Sequence, residues 1–376
     1  MAAKNDTHTP TSSPSARLRT LMSQSNIPAQ QYALAVLAKQ GEWGVIVVDV
    51  DKPAPGEVLV RIESTGLNPL EWKVQTYGVQ VTHYPAILGA DPAGVVVEVG
   101  EGVSNLAVGD RVVFQGTYTN RLAAYKQYTV ASAETVAKLP DNVSFDQAAT
   151  IPIVAGASWA GLYGKKQQLG GAQLTPPWEE GGLGKYAGQP FLLFGGASSV
   201  GQIVIQLAKL SGFSPIIATA SPHNAELLKS LGATHVVDRN LTADKLIETV
   251  KQITSEPIQI VYDSISQKAT QNAGYDILAP GGTLIITTPR TIDEEKITED
   301  KPVIRTYGSL HREQNRELGI QFYRHLPKYL ESGALKLPSV EILPNGLNGI
   351  PQGLERLKKG QVSGYKLIAR PQEATL

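Results

Sequence analysis

Phe191-Leu-Leu-Phe-Gly-Gly-Ala-Ser-Ser-Val-Gly-Gln-Ile-Val-Ile-Gln-Leu-Ala-Lys209 decides the fold. Residues 191–194 form an apolar run of the length and type of a buried strand. A turn of small residues follows: Gly195, Gly196, Ala197, Ser198 and Ser199. Apolar side chains then recur at Val200, Val204, Leu207 and Ala208, the spacing of one helical face. Strand, small-residue turn and helix form the first unit of a dinucleotide-binding fold. Backbone N–H groups in the turn must approach a pyrophosphate closely, and the helix N-terminus meets the anion with its free donors. The turn departs from G-x-G-x-x-G, so the plain alternative is an ordinary strand-to-helix connection.

The next strand, 215–219, runs into Ala220-Ser-Pro-His-Asn224. A site for NAD usually has Asp or Glu here to hold the ribose 2′-hydroxyl. This chain offers Ser221, His223 and Asn224 instead, with Lys229 further on. A carboxylate would repel a 2′-phosphate, whereas these donors would hold one, so the expected cofactor is NADPH. Ser221-Pro222 also suits the cap of a helix over 223–231.

The chain has 376 residues, 34 basic and 34 acidic side chains, and 42% hydrophobic residues. That length predicts two domains. Zero net charge and no basic block argue against nucleic acid as a partner. No apolar run is long enough to span a membrane. There is no cysteine, hence no disulfide and no thiolate metal site. Residues 1–29 are rich in Ser, Thr, Pro, Asn and Gln, lack the apolar core of a signal peptide, and are expected to be disordered. A cytoplasmic location is the corresponding expectation.

Short strands are expected at 32–37, 44–49, 58–64, 95–99 and 125–130, with another after Gly109-Asp110. Their close spacing suggests a small β-barrel. Residues 66–78 are too irregular for a strand and well supplied with polar groups. A helical region begins at Phe145, breaks at Pro152 and resumes to Tyr163. Residues 167–189 form a Gly/Pro-rich insertion, suited to lining a channel, covering an interface or neither. Strands near 191, 216, 235, 259 and 284 then alternate with helices, which predicts a doubly wound parallel sheet. A long helix is expected over 314–330, and the last strand, 364–369, returns to the barrel. The resulting division is 30–155, 156–306 and 307–376, the last segment rejoining the first.

Gly89-Ala-Asp-Pro-Ala-Gly94, Gly100-Glu-Gly-Val103, Val108-Gly-Asp-Arg-Val112 and Val362-Ser-Gly-Tyr-Lys-Leu367 resemble motifs of the medium-chain dehydrogenase/reductase superfamily. The resemblance implies an α/β protein with a Rossmann doubly wound parallel sheet and a GroES-like β-barrel catalytic domain. Asn68-Pro-Leu-Glu-Trp-Lys73 and 220–224 look like its zinc-independent fungal branch, which includes trans-acting enoyl reductases and ene- and ynone- or quinone-type reductases. Zinc members carry an early cysteine ligand and a Gly-His-Glu turn. Here Gly89-Ala90-Asp91 occupies that turn, and the six histidines show no ligand spacing, so no metal site is expected. Quinone reductases often have Thr at the position of Ala157. Ser158, next to it, is the hydroxyl nearest that position in the sequence.

The expected reaction is NADPH-dependent hydride delivery to the β-carbon of an enone, enal, ynone or enoyl thioester. The developing oxyanion needs a donor and the α-carbon a proton. The resemblance places Lys73 beside the nicotinamide, as enolate stabiliser or ribose anchor; the plain alternative is an exposed lysine after a buried Trp72. Asn68 would position the nicotinamide or cap a turn, Asp91 would orient Lys73 or form a turn, and Tyr77 would donate a proton or pack a loop. Asp263, Ile265 and Thr288 follow the fourth and fifth Rossmann strands, where the ligand crevice lies. Gly364 and Lys366 resemble the family's terminal segment near the active site. The alternatives are a quinone or carbonyl reductase on the same scaffold, and a non-catalytic NADPH-binding helper of a biosynthetic synthase. A monomer or homodimer is implied.

Overall fold

The computed structural model describes residues 27–374. The expected tail at 1–29 lies almost wholly outside them. Six parallel strands form the Rossmann sheet, in the spatial order His235–Asp238, Ile216–Ala220, Phe191–Phe194, Ile260–Asp263, Thr283–Ile286 and Val303–Arg305. The chain winds outward on both sides of Phe191–Phe194. Strand order reverses there, and a ligand crevice opens beyond the carboxyl ends of the strands. All four side chains of Phe191–Phe194 are buried, as expected for a strand covered on both faces.

The sixth strand, Val303–Arg305, extends the sequence expectation. It has only three residues and follows a stretch without periodicity. The expected helix at 223–231 begins as a single 3₁₀ turn, Pro222–Asn224, before Ala225–Leu231.

The remaining strands form the GroES-like unit: one sheet of three strands and one of seven. The final strand, Tyr365–Ala369, pairs antiparallel with Glu57–Gly66, placing Ile368 opposite Gly66. The chain's end therefore returns to the barrel. Within residues 66–78, which are no strand, Pro69–Tyr77 is a helix, with Pro69 at its first position, where a missing N–H costs nothing.

Gln115 ties the barrel to the segment that follows the last Rossmann strand: its Nε2 donates to the Gly308 carbonyl over 2.9 Å and its Oε1 accepts from the Leu310 N–H over 2.8 Å. Gly156 and Gly308 touch backbone to backbone at this joint; a Cβ on Gly308 would lie 2.0 Å from the Gly156 carbonyl carbon. The insertion at 167–189 lies over the outer face of the Rossmann unit. Trp178 meets Tyr163 edge-on at 5.2 Å and Tyr186 stacks on Phe213 at 5.0 Å. None of its residues lines the central cleft.

Candidate active site

A cleft of about 560 Å³ separates the two units. Its Rossmann wall begins at the turn after Phe194. Gly195 has φ +77°, and a Cβ there would lie 2.5 Å from Ile265 Cδ1 and 2.6 Å from Ser264 Oγ. The Ser198 hydroxyl caps the helix Ser199–Leu210 by accepting from the Gly201 N–H over 2.9 Å. The N–H groups of Ser199 and Val200 have no hydrogen-bond partner among the described residues. Free donors, a positive helix end and a small-residue surface fit a dinucleotide pyrophosphate. Ala197, Ser198, Ser199 and Val200 line the cleft, with Gly195 and Gly196 forming the turn behind them.

Ile265 and Thr288 also line it. Asp263 does not. Its buried carboxylate folds back into its own turn, where Oδ1 accepts from the N–H groups of Ile265 (3.0 Å) and Ser266 (2.7 Å). Asp263 thus shapes the loop that presents Ile265. Ser158 is fully buried behind the cleft lining, its hydroxyl donating to Val154 O in its own helix over 2.8 Å and lying 3.4 Å from Val200 O. Ser221, His223 and Asn224 stand at the end of Ile216–Ala220, outside the cleft lining. Asn224 is buried, its Nδ2 within 3.4 Å of Ser363 Oγ, next to the cleft residue Gly364.

Sequence reasoning did not single out Arg239. Its N–H donates to the Ala220 carbonyl over 3.0 Å, so it sits beside Ser221, exposed and without an ion pair among the described residues. The neighbouring Asp238 accepts from the Asn240 N–H over 3.0 Å.

On the barrel wall, the helix Pro69–Tyr77 carries Lys73 to the cleft and Glu71 into the interior. Lys73 is half-buried, with no hydrogen bond or carboxylate partner among the described residues. Its ammonium lies 5.6 Å from the centroid of Trp72, itself only half-buried. Burial lowers the Lys73 pKa from its ordinary value. Tyr77 ends the helix 59% exposed and lies outside the cleft lining, so its proposed role as proton donor is withdrawn.

Beneath the cleft lies a closed polar cluster. Lys366, from the last strand, forms an ion pair with Asp91 and donates to Asn68 Oδ1 over 3.0 Å. Asn68 Nδ2 donates to Asp91 Oδ2 over 2.8 Å. The other Asp91 oxygen accepts from the Ile153 N–H over 2.6 Å. The expectation that Asp91 orients Lys73 is therefore corrected: Asp91 is committed to Lys366 and Asn68, and Lys73 is left free. Glu71, fully buried, accepts from the Asn68 N–H over 2.7 Å and from the Tyr118 hydroxyl over 3.3 Å. Burial and the nearby Asp91 charge push Glu71 from 4.5 up to about 8, so it holds a proton at neutral pH.

Asn68, Lys73, Gly364 and Lys366 are thus brought together around one space, with Tyr118 and Arg305, neither of which carried a motif. Arg305 Nε is buried without a hydrogen-bond partner. Among the described residues, Lys73, Arg305 and Lys366 line the cleft with no lining carboxylate; Asp91 beneath neutralises Lys366, so Lys73 and Arg305 supply the uncompensated charge. Such a wall favours an anionic ligand and any transition state that gains negative charge. Among the described residues, no three His, Asp or Glu side chains form a metal-binding group, and no helix is long and apolar enough to cross a membrane.

Residues 54–141 match the model of the alcohol dehydrogenase GroES-like domain, and residues 199–310 match that of the zinc-binding dehydrogenase. The chain is 31% identical over 366 residues to lovC, the enoyl reductase component of lovastatin nonaketide synthase from Aspergillus terreus, covering 91% of this chain and 97% of that one. It is 32% identical over 358 residues to the trans-enoyl reductase ACTTS2 of Alternaria alternata, covering 89% and 97%. The quinone oxidoreductase of Coxiella burnetii shares the fold at a TM-score of 0.67 and 22% identity, over 90% of this chain and 98% of that one. The chain is a two-domain oxidoreductase and belongs to the medium-chain dehydrogenase/reductase superfamily. Within that superfamily, fungal trans-enoyl reductases are among its relatives.

Proposed function

We propose that the protein reduces an activated carbon–carbon double bond, in an enone, enal, ynone or enoyl thioester, using NADPH and no metal. The carrying observation is the free, half-buried Lys73 ammonium on the wall opposite the unpartnered N–H groups of Ser199 and Val200. When bound, NADPH supplies a hydride to the β-carbon. Ser199 and Val200 hold the pyrophosphate, and the loops bearing Ile265 and Thr288 flank the nicotinamide half. Ser221, His223 and Arg239 recognise the 2′-phosphate at the end of Ile216–Ala220. Lys73 stabilises the enolate oxygen as charge develops there, a role for which a desolvated ammonium without a competing carboxylate is suited. The relatives' names, enoyl reductase and synthase component, favour a thioester among the candidate substrates.

The test is consumption of NADPH, then NADH, at 340 nm against enones, enals, ynones, enoyl thioesters and quinones, with EDTA present. Saturated ketones or thioesters formed despite EDTA support the reading. Allylic alcohols or hydroquinones as sole products replace it with a carbonyl or quinone reductase. Cofactor binding without turnover leaves a helper protein.

A further inference from the structure

The reading above leaves the α-carbon without a proton source, and Tyr77 is outside the cleft. Three tyrosines line it: Tyr118, Tyr307 and Tyr365. Tyr307 OH donates to Gln80 over 3.2 Å. Tyr365 OH accepts from Arg356 over 3.1 Å, a cation whose donors hold it in place. Tyr365 thus belongs to the Arg356–Glu341 ion pair, whose carboxylate is held ionised, whereas Tyr118 is bonded to the buried carboxyl of Glu71.

Glu71 and Lys73 leave the same helix two residues apart. The two side chains point to different sides of that helix, Glu71 inward to Tyr118 and Lys73 to the cleft, and Tyr118 and Lys73 line the same cleft. In an enolate the oxygen and the α-carbon are two bonds apart, so a group that protonates the carbon must stand close to the one that holds the oxygen. Lys73 is poorly suited to do both, because giving up its proton would forfeit the charge that stabilises the oxygen. Lys366 is tied to Asp91, and arginine does not release a proton.

We infer that Tyr118 is the catalytic acid that protonates the α-carbon, and that the Glu71 carboxyl behind it restores its proton; this rests on the reductase reading above. Hydride arrival at the β-carbon moves the π electrons of the double bond onto the carbonyl, giving an enolate. The enolate pair forms the new α-carbon–hydrogen bond as the Tyr118 O–H bond breaks. The phenolate takes the Glu71 proton across the 3.3 Å contact. The carboxylate regains a proton from water, through Tyr118, once product has left. The net consumption is one hydride and one solvent proton per double bond.

The contacts of Glu71 suit this role. Oε2 takes the short bond from the Asn68 N–H at 2.7 Å, while both contacts at Oε1, from Asn68 Nδ2 and Tyr118, are long at 3.3 Å. Oε1 faces Tyr118, so in the protonated carboxyl its O–H donates to the Tyr118 oxygen across this contact and leaves the Tyr118 O–H free to turn to the cleft. Glu71 is neutral at pH 7 because of its burial and the Asp91 charge.

The experiment reduces a short α-methyl enoyl N-acetylcysteamine thioester with NADPH deuterated at C4. The wild type is expected to give one α-epimer, with deuterium on one face of the β-carbon. Tyr118→Phe is expected to turn over about a hundredfold more slowly or worse, the range for a lost general acid. It should keep β-face selectivity and give both α-epimers, because water then quenches the enolate. Glu71→Gln should keep a single α-epimer but slow multiple turnover, whereas a merely structural Glu71 would be replaced by Gln without loss. Unchanged rate and α-stereochemistry in Tyr118→Phe overturn the inference. Absence of saturated product from the wild type overturns the reductase reading instead. Difference infrared spectroscopy of the cofactor-free wild type supplies a check independent of Tyr118→Phe folding. A protonated carboxyl band at pH 7 that disappears in Glu71→Gln supports the relay, and its absence from the wild type overturns it.

Discussion

Lys366, on the last strand, forms an ion pair with Asp91, 275 residues earlier in the chain, and the two side chains are 3% and 0% exposed. The pair joins the chain's end to the barrel at the floor of the cleft. Asp91 also fixes Asn68 and the N–H of Ile153. Removing one partner leaves an uncompensated buried charge. Lys366→Met is therefore expected to destabilise the protein by about 3–5 kcal/mol, and Lys366→Met with Asp91→Leu by much less. Urea unfolding of the single and double variants measures the difference. Equal losses would show that the pair does not act as a unit.

The Rossmann unit was legible because its signal is local. Strand, turn and helix lie within nineteen consecutive residues, 191–209. The helix Pro69–Tyr77 was not legible as one for a physical reason: its buried positions are Glu71 and Val74, and its end, Tyr77, is exposed. A helix that turns a carboxyl inward and an aromatic outward inverts the usual apolar face. Sequence placed Asn68, Asp91 and Lys366 near the site through motifs, but not their mutual bonds, which close only when the last strand pairs with Glu57–Gly66. Tyr118 and Arg305 lie in no motif. Their placement depends on the folds of two separate sheets, which no local pattern encodes.

Glu71 gives a pH signature. Its pKa is raised from 4.5 to about 8 in the folded state, so the folded protein holds a proton that the unfolded chain releases. Stability from this group is complete below pH 4.5 and is lost as pH rises through about 8. Glu71→Gln should therefore gain stability relative to wild type with increasing pH across that window. Thermal unfolding of both proteins from pH 5 to pH 8.5 tests it. A constant difference would mean that Glu71 is ionised in the folded state.

Lys73→Met should lower kcat/KM by about 10²–10³-fold, the usual loss of one oxyanion donor, while the melting temperature changes little. Among the described residues, Lys73 has no hydrogen-bond or carboxylate partner to lose. Burial lowers its pKa, so wild-type activity should fall on the alkaline side as the ammonium deprotonates, at a pH below that of an ordinary lysine. A variant lacking this limb and retaining rate would reduce Lys73 to part of the wall.

Cofactor choice turns on the end of Ile216–Ala220. Ser221 has no acid beside it on its own strand, and Arg239 is tethered to the Ala220 carbonyl by its backbone. Asp238, in register with Ala220, is the one carboxylate of the pair of strand ends, and its Oδ1 is engaged by the Asn240 N–H. A hydrogen bond to a charged group contributes about 1.5–3 kcal/mol, so two such contacts to a 2′-phosphate would favour NADPH by about a hundredfold or more. Arg239→Ala should erode that preference by raising the NADPH dissociation constant and leaving that of NADH unchanged. Ser221→Asp should reverse it, because the new carboxylate repels the phosphate and accepts from a ribose hydroxyl. Calorimetric titration of each variant with both nucleotides separates the effects. If both nucleotides weaken equally in Arg239→Ala, Arg239 supports the strand end and does not read the phosphate.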